Sequence, residues 1–232
     1  TELTSQGFNL YVNDGGGRFR DQGAVSGLGP ASTPFTGWGT AWFDYDNDGW
    51  LDTFSANGTI IMLEGHQNVP FPYDQHRLLF RNLGNGRFED VTAKAGSLFA
   101  MSESGRGAAF GDIDNDGDID VLVGNDAGRT RLLINNVGNR QHWVGLRVVG
   151  GAGGRDMLGA RVGVTGADGK TRWRRARADG SYASANDPRV LVGLGASSGP
   201  VTVDVKWPDG TAERWNGVTA DRWTTLRQGE GK

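Results

Sequence analysis

The sequence predicts an all-β chain with two domains, a partial β-propeller of about two and a half blades followed by a β-sandwich-like domain. Apolar residues occur in short runs with no sustained helical period, and two sequence units recur before stopping near residue 139. The 232 residues are enough to bury a sizeable core. The 39 glycines have no three-residue period and stand among 8 Trp and 10 Phe, which excludes collagen and simple disorder.

Two short sequence units alternate along the first part of the chain. The first unit is found at Gly39–Asp52 and again 68 residues later, at Gly107–Asp120. The second unit is found at Leu10–Phe19 and at Leu79–Phe88, and it starts a third time at Leu133. Short strands that recur with such a period are typical of the blades of a β-propeller, which pack radially around a channel.

The repeat places the propeller domain at residues 1–139. It contains two nearly whole blades and the second half of an earlier one. A closed propeller needs about 4 to 8 blades, and blade edges without a neighbour leave strand hydrogen bonds unpaired. We therefore expect further blades to precede Thr1 or to be supplied by another chain.

A different pattern begins at residue 140 and predicts a second domain over residues 140–232. Its net charge is +6, whereas residues 1–139 carry −9. The hairpin turns contain Asp-Gly pairs, in which glycine accepts the positive φ of tight turns. The seven predicted strands are His142–Val149, Ala160–Thr165, Thr171–Arg175, Val190–Leu194, Val201–Trp207, Thr211–Trp215 and Trp223–Leu226.

Two aspartate-rich loops carry the clearest chemistry in the sequence. The first aspartate loop (Asp44–Asp52) and the second aspartate loop (Asp112–Asp120) both have carboxylates at positions 1, 3, 5 and 9 and glycine at position 6. Ca²⁺ takes 6 to 8 oxygen ligands, so side chains at alternating positions, together with the carbonyl at position 7, predict a calcium site. At the even positions we expect Tyr45 and Ile113 to pack on the blades and the asparagines to stabilise the turns.

Two alternatives for these loops are less consistent with the sequence. A solvated acidic turn is disfavoured because four or five carboxylates within nine residues repel one another unless a cation screens them. An EF-hand needs an acidic residue at position 12 within a following helix. That position holds Ser55 in the first loop and Val123 in the second, each in a predicted strand.

At this point the chain resembles known families. Gly39–Asp52 and Gly107–Asp120 resemble the FG-GAP (VCBS-type) repeat, the calcium-binding blade unit of integrin α-chain propellers and many bacterial surface proteins. Arg155–Val162, Gly180–Asp187 and Trp207–Gly210 resemble the ASPIC/UnbV domain of cartilage acidic protein-like proteins. The resemblance implies a calcium-stabilised propeller with an appended β-domain, usually exported and without a general enzymatic activity. The ligands that it carries over are Asp44, Asp46, Asp48, the Trp50 carbonyl and Asp52 in the first loop, and Asp112, Asp114, Asp116, the Asp118 carbonyl and Asp120 in the second.

Catalytic signatures are scarce in this sequence. With 0 Cys there is no thiolate nucleophile or zinc site. The three histidines, His66, His76 and His142, do not have the spacing of zinc ligands, and no Gly-x-Ser-x-Gly elbow is present. The glycine run Gly150–Gly154 lacks the Lys-Ser/Thr of a phosphate-binding loop. We expect a protein that is not an enzyme.

A basic segment and the tryptophans raise other binding classes. Lys170–Arg177 holds five cations and one Trp, a mixture that contacts polyanions in some proteins. The alternative is a solvated strand whose cations face the acidic propeller domain or an acidic partner, and we do not expect a nucleic-acid partner. The 8 Trp predict core and hairpin packing, with a carbohydrate platform as the open alternative.

An insertion in the first blade is the candidate partner-binding segment. Aligning the two repeats assigns 14 extra residues to the connection between its second and third strands, within Gly58–Arg77. The segment is apolar and aromatic, and we expect it on the face opposite the aspartate loops. A loop folded over its own blade is the alternative. The candidate partner-binding residues are His66, Phe71, Tyr73 and His76.

Together these features predict a calcium-binding, non-enzymatic, exported protein that mediates protein–protein interaction or adhesion, as an accessory subunit of a larger periplasmic or extracellular assembly. Extracellular modules bind Ca²⁺ at roughly 10⁻⁴ to 10⁻³ M, so such sites would stay empty in the cytosol. No apolar run approaches the ~20 residues of a membrane span. The alternatives are a biosynthetic enzyme built on a propeller scaffold and a lectin-like carbohydrate binder.

Overall fold

The computed structural model describes residues 1–62, 65, 68–151 and 153–232. In the first part of the chain the strands are β1 (Tyr11–Gly15), β2 (Arg18–Asp21), β3 (Gly37–Phe43), β4 (Asp52–Asn57), β5 (Leu78–Asn82), β6 (Phe88–Asp90), β7 (Gly105–Gly111), β8 (Asp120–Asn125) and β9 (Arg131–Leu133). In the second part they are β10 (His142–Val149), β11 (Arg161–Thr165), β12 (Thr171–Arg175), β13 (Val190–Gly195), β14 (Val201–Lys206), β15 (Ala212–Val218) and β16 (Trp223–Arg227).

The strands of the first part form three antiparallel sheets in chain order. They are the β1–β2 hairpin, a four-stranded blade β3-β4-β5-β6 and a three-stranded blade β7-β8-β9. The half blade, the whole blade and the blade that breaks off after its third strand are those that the repeat predicts. The all-β class and the partial propeller are therefore confirmed.

Aromatic packing joins the two blades. Phe54 on β4 is fully buried, and its ring centroid lies 5.8 Å from that of Phe110 on β7. Phe110 also lies 5.3 Å from Phe43 on β3. On the opposite face of the four-stranded blade, Phe80 meets Phe8 of the N-terminal segment at 6.4 Å. Full burial of one such side chain contributes about 1.5–3 kcal/mol, so these contacts hold the blades in a fixed arrangement.

Helices are short and few among the described residues. They are α1 (Gly23–Ser26), α2 (Leu28–Ser32) and the 3-10 turns Thr92–Lys94, Ser97–Ala100 and Gly138–Arg140. The sequence patterns predict strands only, and these turns lie in the connections between strands. None of the helices in the described ranges has the length and apolar character needed to cross a bilayer.

The second part of the chain packs two sheets around one core. A three-stranded sheet has the order β13-β10-β16, with β10 and β16 parallel, and a four-stranded antiparallel sheet has the order β12-β11-β14-β15. Valines from both sheets meet in the core, among them Val162, Val192 and Val203, all fully buried. All seven predicted strands are present. The sandwich is confirmed, and β15 extends to Val218, three residues beyond the predicted end at Trp215.

Candidate metal centres

The first aspartate loop is the turn of the β3–β4 hairpin. Asp44, Asp46 and Asp48 each place a carboxylate oxygen within 4.8 Å of the others. The chain can curl this tightly because Asn47 and Gly49 adopt positive φ angles of 54° and 93°, a region that asparagine and glycine tolerate best. The backbone N–H of Gly49 donates to Asp44 Oδ2 at 2.9 Å and fixes the turn.

The second aspartate loop repeats this geometry between β7 and β8. Asp112, Asp114 and Asp116 also bring one oxygen each within 4.8 Å. Asn115 and Gly117 have φ angles of 61° and 96°. The Gly117 N–H donates to Asp112 Oδ2 at 3.0 Å. Positions 1, 3, 5 and 6 of the two loops therefore have the same arrangement.

The aspartates at position 9 brace the loops and lie outside the three-aspartate clusters. Asp52 Oδ2 accepts from the Tyr45 N–H at 3.1 Å, and Asp52 Oδ1 accepts from the Asn82 N–H at 2.7 Å. In the second loop Asp120 Oδ1 accepts in the same way from the Asn135 N–H at 2.8 Å. Both side chains tie their loop to the third strand of the blade. Their role as calcium ligands stays a prediction.

Position 7 differs between the loops. Trp50 is half exposed, and its indole lies against Gly84. Asp118 is fully buried, and its Oδ2 accepts from the Asn139 N–H at 3.0 Å. The contribution of the Trp50 and Asp118 carbonyls to a metal site also stays a prediction.

The even positions depart from the expected pattern. Tyr45 packs beside Phe43 on the blade as expected, whereas Ile113 is 52% exposed. Asn47 is fully buried and does more than stabilise its own turn. Its Nδ2 donates to the backbone oxygens of Gly117 at 2.8 Å and Gly138 at 2.9 Å, so it links the first loop to the second.

The electrostatics of the clusters fit a cation. Asp44 Oδ1 and Asp46 Oδ1 are buried and have no hydrogen-bond partner among the described residues. Burial, together with repulsion from Asp46 and Asp48, raises the pKa of Asp44 to about 7. Burial raises the pKa of Asp52 to about 8 and that of Asp118 to about 7. A divalent cation would offset both the burial of these carboxylates and their mutual repulsion. An all-oxygen ligand set suits a hard cation such as Ca²⁺.

Comparison with known proteins agrees with this geometry. A family model described as FG-GAP-like repeat matches residues 71–123, and one described as ASPIC and UnbV matches residues 150–232. The chain carries an FG-GAP-like repeat and an ASPIC/UnbV domain. It is also similar to cartilage acidic protein 1 of Mus musculus, with 43% identity over 56 residues, which are 24% of this chain and 8% of the mouse protein. The chain thus matches only a small part of that relative's length, and the resemblance found in the sequence is confirmed.

The ASPIC/UnbV domain contacts both aspartate loops. At the first loop, the Gly195 N–H donates to the Asn47 carbonyl at 2.9 Å, and Arg174 Nη2 donates to the Gly49 carbonyl at 3.2 Å. Gly193 lies so close that an added Cβ would come within 2.5 Å of the Asn47 backbone. Nothing larger than glycine fits there without displacing the loop.

At the second loop the contacts are aromatic and cationic. Trp223 Nε1 donates to Asp112 Oδ2 at 3.1 Å, and Arg189 Nη2 donates to the Asp112 carbonyl at 2.8 Å. Arg189 also lies 4.1 Å above the Trp223 ring centroid, the geometry of a cation–π contact. The ASPIC/UnbV domain therefore packs directly on the two aspartate loops.

Sequence reasoning missed this docking, although one signal pointed to it. The opposite charges of the two parts and the basic segment Lys170–Arg177 allowed the alternative that its cations face the propeller. The structure places Arg172 against Gly49, and Arg174 bonds to the carbonyl of the same residue. Which residues of the second domain would meet the loops was not visible without the fold.

The insertion of the first blade has a fixed stem, and its described residues between 60 and 71 are exposed. Gln75 Oε1 accepts from the Thr36 N–H at 2.9 Å, and the buried Arg77 pairs with Glu103 and donates to the Leu98 carbonyl at 2.7 Å. Since β3 and β4 are antiparallel, with Gly37 opposite Asn57 and Phe43 opposite Asp52, the insertion leaves the hairpin at the end away from the aspartate loop.

The candidate partner-binding residues differ in exposure. Phe71 is 72% and Tyr73 42% exposed. His76 packs against Phe35 at 4.5 Å, and burial lowers its pKa. His66 lies outside the described residues. Phe71 and Tyr73 are therefore the members that a partner could contact directly, and their role stays a prediction.

Hydrogen bonding also corrects the alignment of the two blades. Asn82 donates to Asp52 from 30 residues downstream, whereas Asn135 donates to Asp120 from 15 residues downstream. The sequence alignment pairs Asn82 with Asn136 and finds 14 extra residues, but the structure pairs it with Asn135. The insertion is therefore 15 residues long. Consecutive asparagines in the second blade made the two alignments look equivalent.

Proposed function

We propose that this chain is a calcium-binding, non-enzymatic interaction protein that works outside the cytosol. The observation that carries the proposal is the pair of three-aspartate clusters. They lie on two nine-residue turns that have the same geometry. In the first cluster two buried carboxylate oxygens have no hydrogen-bond partner among the described residues. The FG-GAP-like repeat and the ASPIC/UnbV domain favour a role in protein interaction or adhesion.

In this proposal Asp44, Asp46 and Asp48 hold one Ca²⁺, and the matching aspartates of the second loop hold another. When bound, the ion supplies positive charge that offsets the repulsion among buried carboxylates. The loops then keep one shape, because their side chains converge on a common point. Their backbone carbonyls, such as those of Asn47 and Asp112, stay in place to receive the ASPIC/UnbV domain.

Export is part of the proposal because of calcium availability. Turn-type sites in extracellular modules typically bind at roughly 10⁻⁴ to 10⁻³ M, a concentration found outside cells. Sites of that affinity would add stability there through mass action, since only the folded chain presents the converged ligands.

Thermal unfolding of the full chain tests calcium binding. We expect the melting temperature to rise with added CaCl₂ after chelation, and to rise much less with MgCl₂, which dehydrates reluctantly and prefers strict octahedral geometry. The double variant Asp46→Asn/Asp114→Asn should lose the calcium-dependent rise. A melting temperature that is the same in CaCl₂ and in chelator would contradict the proposal.

The insertion is the proposed contact with a protein partner. Its exposed apolar side chains include Ile61, Phe71 and Tyr73, and aromatic residues are enriched in interface cores. We expect Phe71→Ser/Tyr73→Ser to abolish capture of the partner while calcium-dependent melting stays unchanged. The matched control is Val25→Ser, an exposed apolar side chain on α1. Equal partner capture by the insertion variant and by this control would argue against the insertion.

A further inference from the structure

A cleft between the blades and the ASPIC/UnbV domain runs beside the two aspartate loops. Its volume is about 590 Å³, within the range of pockets that hold small ligands. One wall comes from β3 and β7 of the blades, and the other comes from β11, β12 and β13 of the ASPIC/UnbV domain. Asp44 and Asp112 of the aspartate loops contribute to its lining, and no described residue of the insertion does.

Five arginines line the ASPIC/UnbV wall of the cleft, and two of them are paired with carboxylates, Arg175 with Asp179 and Arg189 with Asp187. Within the described ranges no carboxylate oxygen lies within 4.0 Å of Arg161 or Arg174, and Arg177 meets Asp179 only at 4.0 Å. Arg174 is held in place by its bonds to the carbonyls of Gly49 and Trp173. Arg161 and Arg177 are therefore available to an anionic ligand, whereas Arg174 already lies in the field of Asp44 and Asp52.

Two exposed indole rings line the same cleft from opposite sides. Trp42, on β3, is 43% exposed, and Trp173, on β12, is 37% exposed. The Trp173 ring lies on Gly163, where an added Cβ would come within 2.9 Å of it. One face of this ring is therefore supported by the sheet. Flat aromatic faces of this kind stack against the C–H faces of sugar rings.

The lining of the cleft carries negative as well as positive side chains, and this limits the classes of anion that fit it. Asp44, Asp112 and Asp187 line it together with the arginines. A continuous polyphosphate chain needs a groove of unpaired cations along its length, and two of the five arginines here are already paired with carboxylates. A ligand whose acidic groups are separated by neutral, hydroxyl-bearing rings fits both the charges and the indoles better.

We propose that this cleft binds an acidic oligosaccharide that carries carboxylate or sulfate groups. Arg161 and Arg177 contact the acidic groups, and Trp42 and Trp173 pack against the sugar rings. The site adjoins the calcium clusters, because Asp44 and Asp112 line it, and no described residue of the insertion belongs to it. It gives the chain a carbohydrate ligand in addition to a protein partner.

Tryptophan fluorescence titration of the full chain in CaCl₂ tests this site with three probes: a galacturonate hexamer, a chondroitin sulfate hexasaccharide and the neutral cellohexaose. We expect saturable binding of one or both acidic probes, and their comparison shows whether carboxylate or sulfate is preferred. Arg161→Gln/Arg177→Gln should weaken binding at least tenfold. Arg87→Gln/Arg140→Gln removes the same charge from exposed sites outside the cleft and should change binding less than twofold.

Three outcomes would overturn the proposal. The first is cellohexaose binding as tightly as the acidic probes. The second is an equal loss of binding in the two double variants, since that indicates general charge attraction. The third is tighter binding of a single-stranded oligonucleotide than of any saccharide, which would assign the cleft to nucleic acid. Trp173→Leu separates stacking from charge, and we expect it to weaken the acidic probes at least fivefold.

Discussion

The two aspartate loops share one turn geometry but have different neighbours. In the first loop, Arg81 forms ion pairs with Asp46 through Nε at 2.8 Å and with Asp48 through Nη2 at 3.3 Å. The equivalent position in the second blade is Ile134, and Asp116 instead accepts from Asn139 Nδ2 at 2.5 Å. The Arg81 guanidinium therefore already contacts the carboxylates of the first cluster, whereas a neutral amide contacts the second.

The charge around the second loop is also more negative than that around the first loop. The second loop has a fifth carboxylate, Asp118, where the first has Trp50. Arg174 raises the positive charge near the first loop, while Arg189 at the second loop is paired with Asp187 at 2.6 Å. Equal ligand patterns therefore need not give equal affinity, and we expect the second loop to bind Ca²⁺ more tightly.

Removal of one ligand from each loop should give the largest effect. Asp114→Asn and Asp46→Asn should each weaken Ca²⁺ binding at the altered loop about a hundredfold or more. At a calcium concentration near 100 times Kd this costs about 2.3 to 2.7 kcal/mol of stability, and the loss should be greater for Asp114→Asn. Chemical denaturation in CaCl₂ measures it. Asp126→Asn, an exposed carboxylate outside the loops, is the control and should change stability by less than about 0.5 kcal/mol.

The second-largest effect concerns the pH dependence of the stability of the calcium-free protein, which should differ between variants of the two loops. The folded-state pKa of Asp44 is raised to about 7 and that of Asp52 to about 8, so the folded chain holds protons that the unfolded chain releases near pH 4. The contribution of these two carboxyls to stability is then greatest below pH 4 and falls as pH rises towards 8, by up to about 1.4 kcal/mol per pH unit for each carboxyl.

Excess Ca²⁺ should remove this fall, because the bound aspartates are ionised. In chelator, Asp44→Asn should flatten the profile more than Asp112→Asn, since it removes a carboxyl whose pKa is raised as far as about 7. Denaturation midpoints between pH 4 and 8 measure both effects. Stability that rises with pH in chelator would show that burial does not control these carboxyls.

Replacement of Arg81 should reduce the difference in Ca²⁺ affinity between the two loops. Arg81→Gln removes the competing guanidinium from Asp46 and Asp48, and we expect the first loop to bind Ca²⁺ about two- to fivefold more tightly, as fits an exposed ion pair worth up to about 1 kcal/mol. Site-resolved NMR titration of the Gly49 and Gly117 amides measures the two loops separately. An unchanged Gly49 titration would exclude Arg81 as the cause of the difference.

The smallest effect concerns the docking of the ASPIC/UnbV domain. Trp223→Phe removes the hydrogen bond to Asp112 and should cost about 1 kcal/mol of stability, while Ca²⁺ affinity at the second loop falls by less than fivefold. Trp215→Phe, on β15 away from the loops, is the matched control. Limited proteolysis between the two domains should be faster for Trp223→Phe than for this control.

Local patterns in the sequence predict most of the fold. Short apolar runs and Asp-Gly turns identify the seven strands of the ASPIC/UnbV domain, because strand pairing and tight turns depend on neighbouring residues. The aspartate spacing identifies both loops for the same reason, since Gly49 and Gly117 bend the chain within a few residues.

Contacts between distant segments are what the sequence does not show. Asn47 is predicted to stabilise its own turn, yet it is buried and donates to Gly117 and Gly138, 70 and 91 residues away. The docking of Trp223 on Asp112 spans 111 residues. No local period encodes such pairs, so the coupling of the loops to each other and to the second domain requires the three-dimensional structure.

Isothermal titration of the chelated full chain with CaCl₂ tests the central claim most directly. We expect two binding events, with the tighter event lost in Asp114→Asn and the weaker one lost in Asp46→Asn. Absence of binding up to millimolar CaCl₂, or a tighter event that survives Asp114→Asn and disappears in Asp46→Asn, would contradict the account of two calcium loops ordered by their neighbours.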